Sequence, residues 1–217
     1  MPQETGPARV DRVRRIIAGL NQTYPDAHCE LNYSTPLELL VATILSARCT
    51  DKQVNIVTGD LFRKYCSAAN YAQAVPEELA NDLKRLGLFR NKARSIQNCC
   101  RTLVERHGGQ VPSDMPALTD LAGVGRKTAN VVLGNAFGKN LGVVVDTHVS
   151  RLSARLGLTS ETNAEKIESD LMKLVPQEQW TMFSHWIIWH GRRRCFARQP
   201  ECEACEITQE CPKCGVK

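Results

Sequence analysis

The sequence predicts an all-α fold, because apolar residues recur at helical spacing along nearly the whole chain and helix-capping signals separate the segments. A third observation agrees with this prediction. The β-branched run at residues 141–145 is short and isolated, so we expect an extended connector there rather than a sheet. The 217 residues include 42% hydrophobic and 24% charged side chains, which is typical of a soluble globular protein.

The first two helices carry clear start and stop signals. Apolar residues on one face predict a helix over residues 10–20 that ends before Pro25. Thr35 and Glu38 then form a capping box with Pro36 at the first helical position, and the helix is predicted to cover residues 37–47.

Later helices follow from the same periodicity. Asp51 is expected to cap the third helix, and Thr162 with Glu165 is expected to form a further capping box. The remaining helices are predicted near residues 76–86, 91–107, 114–121, 126–137, 147–156, 163–174 and 178–190.

Composition and charge narrow the functional classes. No apolar run is long enough to span a membrane, and residues 1–5 lack the basic and apolar regions of a secretory signal. The net charge of +5 is compatible with a polyanionic partner. Basic residues cluster at 84–94 and 192–194, although a solvated helix face explains each cluster equally well.

Cysteine usage indicates a metal site. Ten cysteines without a signal peptide argue against a disulfide framework. Five are scattered and are expected to be mostly small buried hydrophobes: Cys29, Cys49, Cys66, Cys99 and Cys100. The other five crowd between residues 195 and 214, and this asymmetry predicts metal binding.

Two sets of four cysteines can be drawn from this cluster. Cys195, Cys202, Cys205 and Cys211 have the spacing Cys-x6-Cys-x2-Cys-x5-Cys, which suits either zinc or an iron–sulfur cluster. The second set leaves out Cys195 and includes Cys214. Its spacing, Cys202-x2-Cys205 followed by Cys211-x2-Cys214, resembles a miniature zinc ribbon. The five-residue middle of that second set is short for a ribbon.

The most informative segment is residues 121–129, where Gly123 and Gly125 lie between one predicted helix and the next. Two glycines at this spacing allow a tight turn with outward-facing N–H groups. Together with the following helix N-terminus, these donors form an anion site suited to a phosphodiester. The pattern is typical of a helix–hairpin–helix that contacts DNA independently of sequence, and a plain helix–helix turn is the alternative.

Lys127 lies in the first turn of the predicted helix 126–137. The positive end of the helix dipole favours a neutral amine there if the side chain is also partly desolvated. A neutral lysine amine is a usable nucleophile. The simpler interpretation is an ammonium that binds phosphate.

Asp146 favours the nucleophilic interpretation of Lys127. The helix 126–137 travels about 18 Å at about 1.5 Å per residue, and residues 138–145, if extended, can return the same distance. We therefore expect Asp146 near the hairpin, where a lysine and a carboxylate facing one cleft form an acid–base pair. A plain N-cap for the following helix is the alternative role of Asp146.

These residues together resemble the endonuclease III family. The resemblance is carried by Gly-Val-Gly-Arg-Lys-Thr-Ala-Asn-Val-Val-Leu at 123–133, Val-Asp-Thr-His at 145–148, His-Trp-x3-His-Gly at 185–191 and the four-cysteine spacing. It covers residues 10–212. It implies a two-lobed glycosylase fold with DNA bound in the cleft between the lobes.

The implied lobes are a six-helix domain over residues 29–139, which contains the helix–hairpin–helix, and a discontinuous iron–sulfur cluster domain. The second domain would combine residues 1–28 with 140–217. By resemblance, a 4Fe–4S cluster is the cofactor and Cys214 is a spare thiol. The cluster ligands would be Cys195, Cys202, Cys205 and Cys211.

The resemblance also implies a bifunctional enzyme of base-excision repair, a DNA glycosylase and AP lyase that removes oxidised pyrimidines and nicks the strand by β-elimination. Lys127 matches the family's catalytic lysine, which forms a Schiff base, and Asp146 matches its catalytic aspartate. Adenine-removing relatives usually lack this lysine. The expected partner is double-stranded DNA with damaged pyrimidines or abasic sites, bound by a cytoplasmic, nucleoid-associated monomer in a bacterium or archaeon.

DNA contacts are implied residue by residue. Leu88 matches a wedge that the family inserts into the base stack, with a buried loop leucine as the alternative. His148 matches a position near the DNA backbone, with a core histidine as the alternative. The hairpin contacts would come from Gly123, Val124, Gly125, Arg126 and Thr128.

Two residues depart from the family pattern. Arg48 stands where the family usually has Gln, at the position that fills the gap left by a flipped base. An arginine there can pair with the orphaned base or bind phosphate, so lesion and opposite-base preference stay open. Ala122 replaces the usual proline before the hairpin.

Two other functional classes compete with a glycosylase. A non-catalytic DNA-binding protein would use the hairpin but need neither Lys127 nor Asp146. A zinc-ribbon interaction module would bind zinc at the cysteines and would be colourless when purified.

Overall fold

The computed structural model describes residues 6–216. The prediction that the chain starts without a secretory signal concerns residues 1–5, which lie outside this range. Over the described residues the structure contains eleven α-helices, two short 3-10 helices and no strand, so the all-α prediction is confirmed. No helix in the same range is long and apolar enough to cross a membrane.

The α-helices follow one another along the chain with short connections. They are α1 (Gly6–Thr23), α2 (Pro36–Leu45), α3 (Asp51–Lys64), α4 (Ala68–Gln73), α5 (Pro76–Asp82), α6 (Phe89–His107), α7 (Met115–Thr119), α8 (Arg126–Phe137), α9 (Thr147–Arg155), α10 (Ala164–Leu174) and α11 (Trp180–Arg193). The 3-10 helices are Gln177–Gln179 and Thr208–Glu210.

The Thr35 half of the predicted capping box at the start of α2 is confirmed, while the Glu38 side chain reaches Ser34, one residue before the N-cap. The backbone N–H of Glu38 donates to Thr35 Oγ1 at 3.2 Å. The Glu38 carboxylate accepts in return from the N–H of Ser34 at 2.5 Å. The first turn of α2 is therefore held by two reciprocal side-chain bonds.

Two other cap predictions were wrong by one residue. Thr50 caps α3, because its Oγ1 accepts from the N–H of Gln53 at 3.3 Å, and Asp51 is the first residue inside the helix. In the same way Asn163, not Thr162, caps α10. In each case two adjacent side chains can accept the bond, and local sequence does not distinguish them.

One compact unit of the chain is continuous, from Cys29 to Lys139, and contains α2–α8. Within it α8 packs against α2 and α7, and α6 packs against α4 and α5. The family resemblance implies six helices here, whereas the structure has seven. The unpredicted one is α4, whose six residues are too few to show a helical period.

The other unit combines the described residues before Cys29 with those from Asn140 onward. Within it α11 packs against α1 and α9, and α10 contacts the same two helices. The connector before α9, residues 138–146, forms neither a helix nor a strand. Val143 and Val145 enter the core of this unit, and the N–H of Val144 donates to Ser184 Oγ at 3.0 Å.

Candidate functional site

The hairpin before α8 is shaped by backbone geometry. Gly123 has φ +79°, and a Cβ built on it would lie 3.0 Å from Cβ of Ser95. Both the conformation and the space therefore exclude a side chain. Val124 is buried behind the turn and its N–H donates to the carbonyl of Leu121 at 3.1 Å. Gly125 occupies the N-cap position of α8 without a side-chain cap.

Lys127 is the second residue of α8 and its side chain is exposed. Its ammonium makes no hydrogen bond or ion pair with any residue in the described range. The N–H groups of Lys127 and Thr128 belong to the first helical turn, which has no internal acceptors. The nucleophilic interpretation of Lys127 requires a partly desolvated side chain. In the chain alone this side chain is exposed, so a bound ligand would have to exclude water from it.

Asp146 is the N-cap of α9 in the discontinuous unit, so the N-cap interpretation is confirmed. Its Oδ1 accepts from the N–H groups of His148 and Val149, both at 2.8 Å. Oδ2 has no hydrogen-bond partner among the described residues and the side chain is half-buried. One carboxylate oxygen thus holds the helix while the other stays available.

His148 is half-buried, which is neither a core position nor a fully exposed one. Its Nδ1 lies 3.3 Å from a guanidinium nitrogen of Arg151. Burial, and then the nearby Arg151 and Arg192, lower the pKa of His148 against the opposing effect of Asp146. A neutral imidazole in the first turn of α9 can donate or accept a hydrogen bond without adding charge.

Arg48 and Leu88 share an unusual backbone conformation. Both are non-glycine residues in the left-handed region, with φ +57° and +59°. The Leu88 side chain is 55% exposed, so the alternative of a buried loop leucine is wrong. Arg48 is also exposed and pairs with no described residue. Strained residues of this kind tend to lie at functional sites.

The cysteines predicted as metal ligands come together. One pocket is lined by Cys195, Cys202, Cys205 and Cys211, and each of these thiols is half-buried. Cys214 is exposed and does not line the pocket. None of the ten cysteines, all of which lie in the described range, forms a disulfide.

The thiols of this pocket influence one another electrostatically. Burial raises the pKa of Cys205 and Cys211, and the nearby Cys195 thiol raises both further. A bound cation would reverse these effects, because it favours thiolates and relieves their mutual repulsion. The donor set therefore fits a metal centre.

Sequence reasoning missed the groups that surround these thiols. Arg155 donates to Cys195 Sγ at 3.1 Å and to the carbonyl of Phe196 at 2.6 Å. His190 lies with Nε2 3.4 Å from Cys205 Sγ and Nδ1 3.1 Å from the hydroxyl of Tyr24. The only sequence signal was His190 within the motif at 185–191, which carried no assigned role.

The chain matches known proteins over most of its length. A family model described as HhH-GPD superfamily base excision DNA repair protein matches residues 41–177. Endonuclease III of Synechocystis sp. is 51% identical over 205 residues, which are 94% of each chain. The chain belongs to the endonuclease III family. Endonuclease III of Escherichia coli (strain K12) is 42% identical over 196 residues, 90% of this chain and 92% of that relative.

Solved structures of endonuclease III agree with this assignment. A non-covalent complex of endonuclease III with DNA has a TM-score of 0.89 at 43% identity, and the match covers 94% of this chain and 95% of that one. A trapped covalent endonuclease III–DNA intermediate also has a TM-score of 0.89 at 43% identity. The endonuclease III fold predicted from the motifs is therefore confirmed.

Proposed function

We propose that the chain is a base-excision repair DNA glycosylase with AP lyase activity, which removes oxidised pyrimidines from duplex DNA and nicks the resulting abasic strand. The observation that carries the proposal is the exposed amine of Lys127, which pairs with no residue of the described range 6–216 and lies beside a hairpin suited to holding a phosphodiester. Membership of the endonuclease III family supports the same chemistry.

DNA binding would begin at the hairpin. The first-turn N–H groups of α8 and the turn at Gly123 and Gly125 would bind a phosphate, and Arg126 would add a positive charge. None of these contacts reads a base, so binding would be independent of sequence. This is what an enzyme that searches long DNA for rare lesions requires.

The damaged nucleotide would then be flipped out of the duplex. The exposed Leu88 would fill the base stack as an apolar wedge. Arg48 would reach the orphaned base or a neighbouring phosphate, since its guanidinium pairs with no residue in the part of the chain that the structure describes. Arg48 and Leu88 both lie on exposed loops of the unit Cys29–Lys139.

Lys127, as free amine, would attack C1′ of the flipped deoxyribose and expel the base. Loss of the ring C–O bond gives a Schiff base between Nζ and C1′. This imine makes the C2′ proton acidic, and its removal breaks the C3′–O bond by β-elimination. The strand is nicked on the 3′ side of the lesion, and hydrolysis of the imine returns the free lysine.

Asp146 would stabilise the positive charge that develops on the sugar as the base departs. Its Oδ2 is suited to this role, because Oδ1 is already used to cap α9. The cap bonds fix the carboxylate in place, so little reorganisation is needed when charge develops.

Cys195, Cys202, Cys205 and Cys211 would hold a 4Fe–4S cluster as thiolate ligands, and we propose that the discontinuous unit is the family's cluster domain. When bound, the cluster would supply four metal–thiolate cross-links to the loop after α11. The pocket shared by these four thiols, with Cys214 outside it, supports this set over the zinc-ribbon set. The unit Cys29–Lys139 would be the helix–hairpin–helix domain.

A cleavage assay on duplexes with one thymine glycol or one abasic site tests the function. The wild type should release the base and nick the strand, Lys127→Gln should lose both activities, and Asp146→Asn should be slowed by about 10²–10⁴-fold. Lys173→Gln, an exposed lysine on α10, is the matched control and should keep wild-type rates. Binding of damaged duplex by the wild type without base release or nicking would instead support a non-catalytic DNA-binding protein.

A further inference from the structure

A lysine and a cysteine that the proposed mechanism does not use meet inside the unit Cys29–Lys139. Nζ of Lys92 lies 2.9 Å from Sγ of Cys49. Lys92 is on α6 and only 5% exposed, while Cys49 lies half-buried just before α3. No carboxylate in the described range pairs with the Lys92 ammonium.

The contact between Lys92 and Cys49 is not explained by a contribution to folding stability. Burying an ammonium is costly unless a charge or strong acceptors compensate it, and a thiol sulfur is a weak acceptor. The contact does, however, place a nitrogen nucleophile directly against a sulfur. That arrangement is what a covalent bond between the two side chains would need.

We propose that Cys49 and Lys92 form an oxidative modification site, in which hydrogen peroxide joins the two side chains through a sulfur–nitrogen bond. In the first step the thiol is oxidised to a sulfenic acid, and peroxide is reduced to water. Lys92 then releases a proton to solvent and its amine attacks the sulfur, and the sulfenic hydroxyl leaves as water. The sum consumes one thiol, one ammonium and one peroxide, and gives one sulfenamide, two waters and one proton.

A sulfenic acid normally condenses with a thiol or with a backbone nitrogen. At Cys49 the Lys92 amine is already at contact distance, so condensation is intramolecular and competes well with further oxidation. A thiol reductant would break the sulfur–nitrogen bond and restore both side chains. The site is therefore a reversible one.

The position of the link gives it a structural consequence. Cys49 directly follows Arg48, and the N–H of Lys92 donates to the carbonyl of Leu88 at 3.1 Å. A bond between Cys49 and Lys92 would tie together the two segments that carry the left-handed residues Arg48 and Leu88. Formation of the link itself does not depend on the chain cleaving DNA.

Peptide mapping tests the proposal on the full-length protein as purified, with its cofactor. After treatment with hydrogen peroxide, alkylation of free thiols and trypsin digestion without reductant, peptides 49–52 and 91–94 should appear joined. Their joint mass should equal the sum of the free peptides less two hydrogen atoms, with no cleavage after Lys92. Subsequent treatment with a thiol reductant should return the separate peptides.

Cys66 provides the matched control. It is exposed, and among the described residues its Sγ hydrogen-bonds only to the carbonyl oxygens of Phe62 and Arg63. It should be oxidised to sulfinic or sulfonic acid and should join no lysine. Cys66→Ser should leave the 49–52 to 91–94 link intact, whereas Cys49→Ser and Lys92→Met should each abolish it.

Two results would overturn the proposal. One is oxidation of Cys49 to sulfinic acid with normal cleavage after Lys92. The other is an unmodified Cys49 under conditions that oxidise Cys66. Both readouts use wild-type protein, so neither depends on whether Lys92→Met folds.

Discussion

The hairpin before α8 and the cysteine loop after α11 are two candidate functional regions built in opposite ways. The hairpin is defined over a few residues by Gly123 in the left-handed region and by one local bond to Leu121. In its described part, residues 194–216, the loop has only a three-residue 3-10 helix of its own. It is held by side chains far away in sequence, such as Arg155 on Cys195 and Arg12 on the carbonyl of Glu210.

This difference separates the two regions energetically. The structure of a region shaped by backbone conformation depends on the residue at one or two positions and does not depend on bound groups. A region with little regular structure needs external ties, which here are arginine hydrogen bonds and, in our proposal, metal–thiolate bonds. Perturbing one region should therefore leave the other region intact, and the following predictions are ordered from the largest expected effect to the smallest.

Cys195→Ser should cause the largest loss. Because Cys195 lines the thiol pocket, removing it should reduce bound iron to near background and release the loop after α11. Cys214→Ser should keep wild-type iron, since Cys214 is exposed outside that pocket. Iron per chain, measured by inductively coupled plasma mass spectrometry, checks both. Iron loss in Cys214→Ser with retention in Cys195→Ser would reverse the ligand assignment.

Acidification should weaken the unit that carries the loop. Burial lowers the pKa of His185 on α11 to about 4. The unfolded chain takes up a proton at His185 below about pH 6.5, whereas the folded chain takes it up only below about pH 4. The free energy of unfolding should therefore fall by up to about 3 kcal/mol as pH drops from about 6.5 to about 4.

Urea unfolding followed by tryptophan fluorescence measures this decrease, because all three tryptophans lie in α11. His185→Gln should show a shallower decline over the same pH window. An equal slope in wild type and variant would show that the proton uptake belongs to other groups.

Gly123→Ala should damage the hairpin without lowering the iron content. A left-handed conformation costs an L-residue about 1–2 kcal/mol, and the added Cβ would also crowd Ser95. Gly125→Ala has φ −94° and open space around the new Cβ, so it should cost less than about 1 kcal/mol, the effect of alanine being a poorer N-cap residue than glycine. Urea denaturation of both variants, with iron content as a check, tests the contrast. Equal destabilisation by the two substitutions would refute the role given to Gly123.

Arg48→Gln should have the smallest effect, a several-fold change that corresponds to about 1 kcal/mol. If the guanidinium pairs with the orphaned base, the substitution should change the ranking of opposite bases. If it binds phosphate instead, all duplexes should weaken by a similar factor. Borohydride trapping across several lesions and opposite bases distinguishes the two, and an unchanged profile would remove Arg48 from the DNA contacts.

The sequence predicted local structure better than long-range structure. Both ends of helix α8 were predicted correctly, because Gly125 precedes it, Gly138 follows it, and the apolar period between them is clear. Helix α4 was missed because six residues hold too little of a helical period. The resemblance implied a set of four cysteine ligands, which line one pocket, while spacing alone left two sets open.

The contacts that the sequence did not reveal join distant residues. Arg12 and Glu210 are 198 positions apart, and Cys49 and Lys92 are 43 apart. Neither residue of such a pair carries a local signal for the other. A single sequence therefore shows which side chains are available but not which of them meet.

The central claim, that Lys127 is the nucleophile, is tested most directly by borohydride trapping on duplex DNA with one thymine glycol. Borohydride reduces a Schiff base to a stable amine, so the wild type should become covalently attached to the strand. Peptide mapping should locate the adduct at Lys127, and Lys127→Gln should give no adduct while Lys173→Gln traps normally. Full trapping by Lys127→Gln, or an adduct on another lysine in the wild type, would contradict the account.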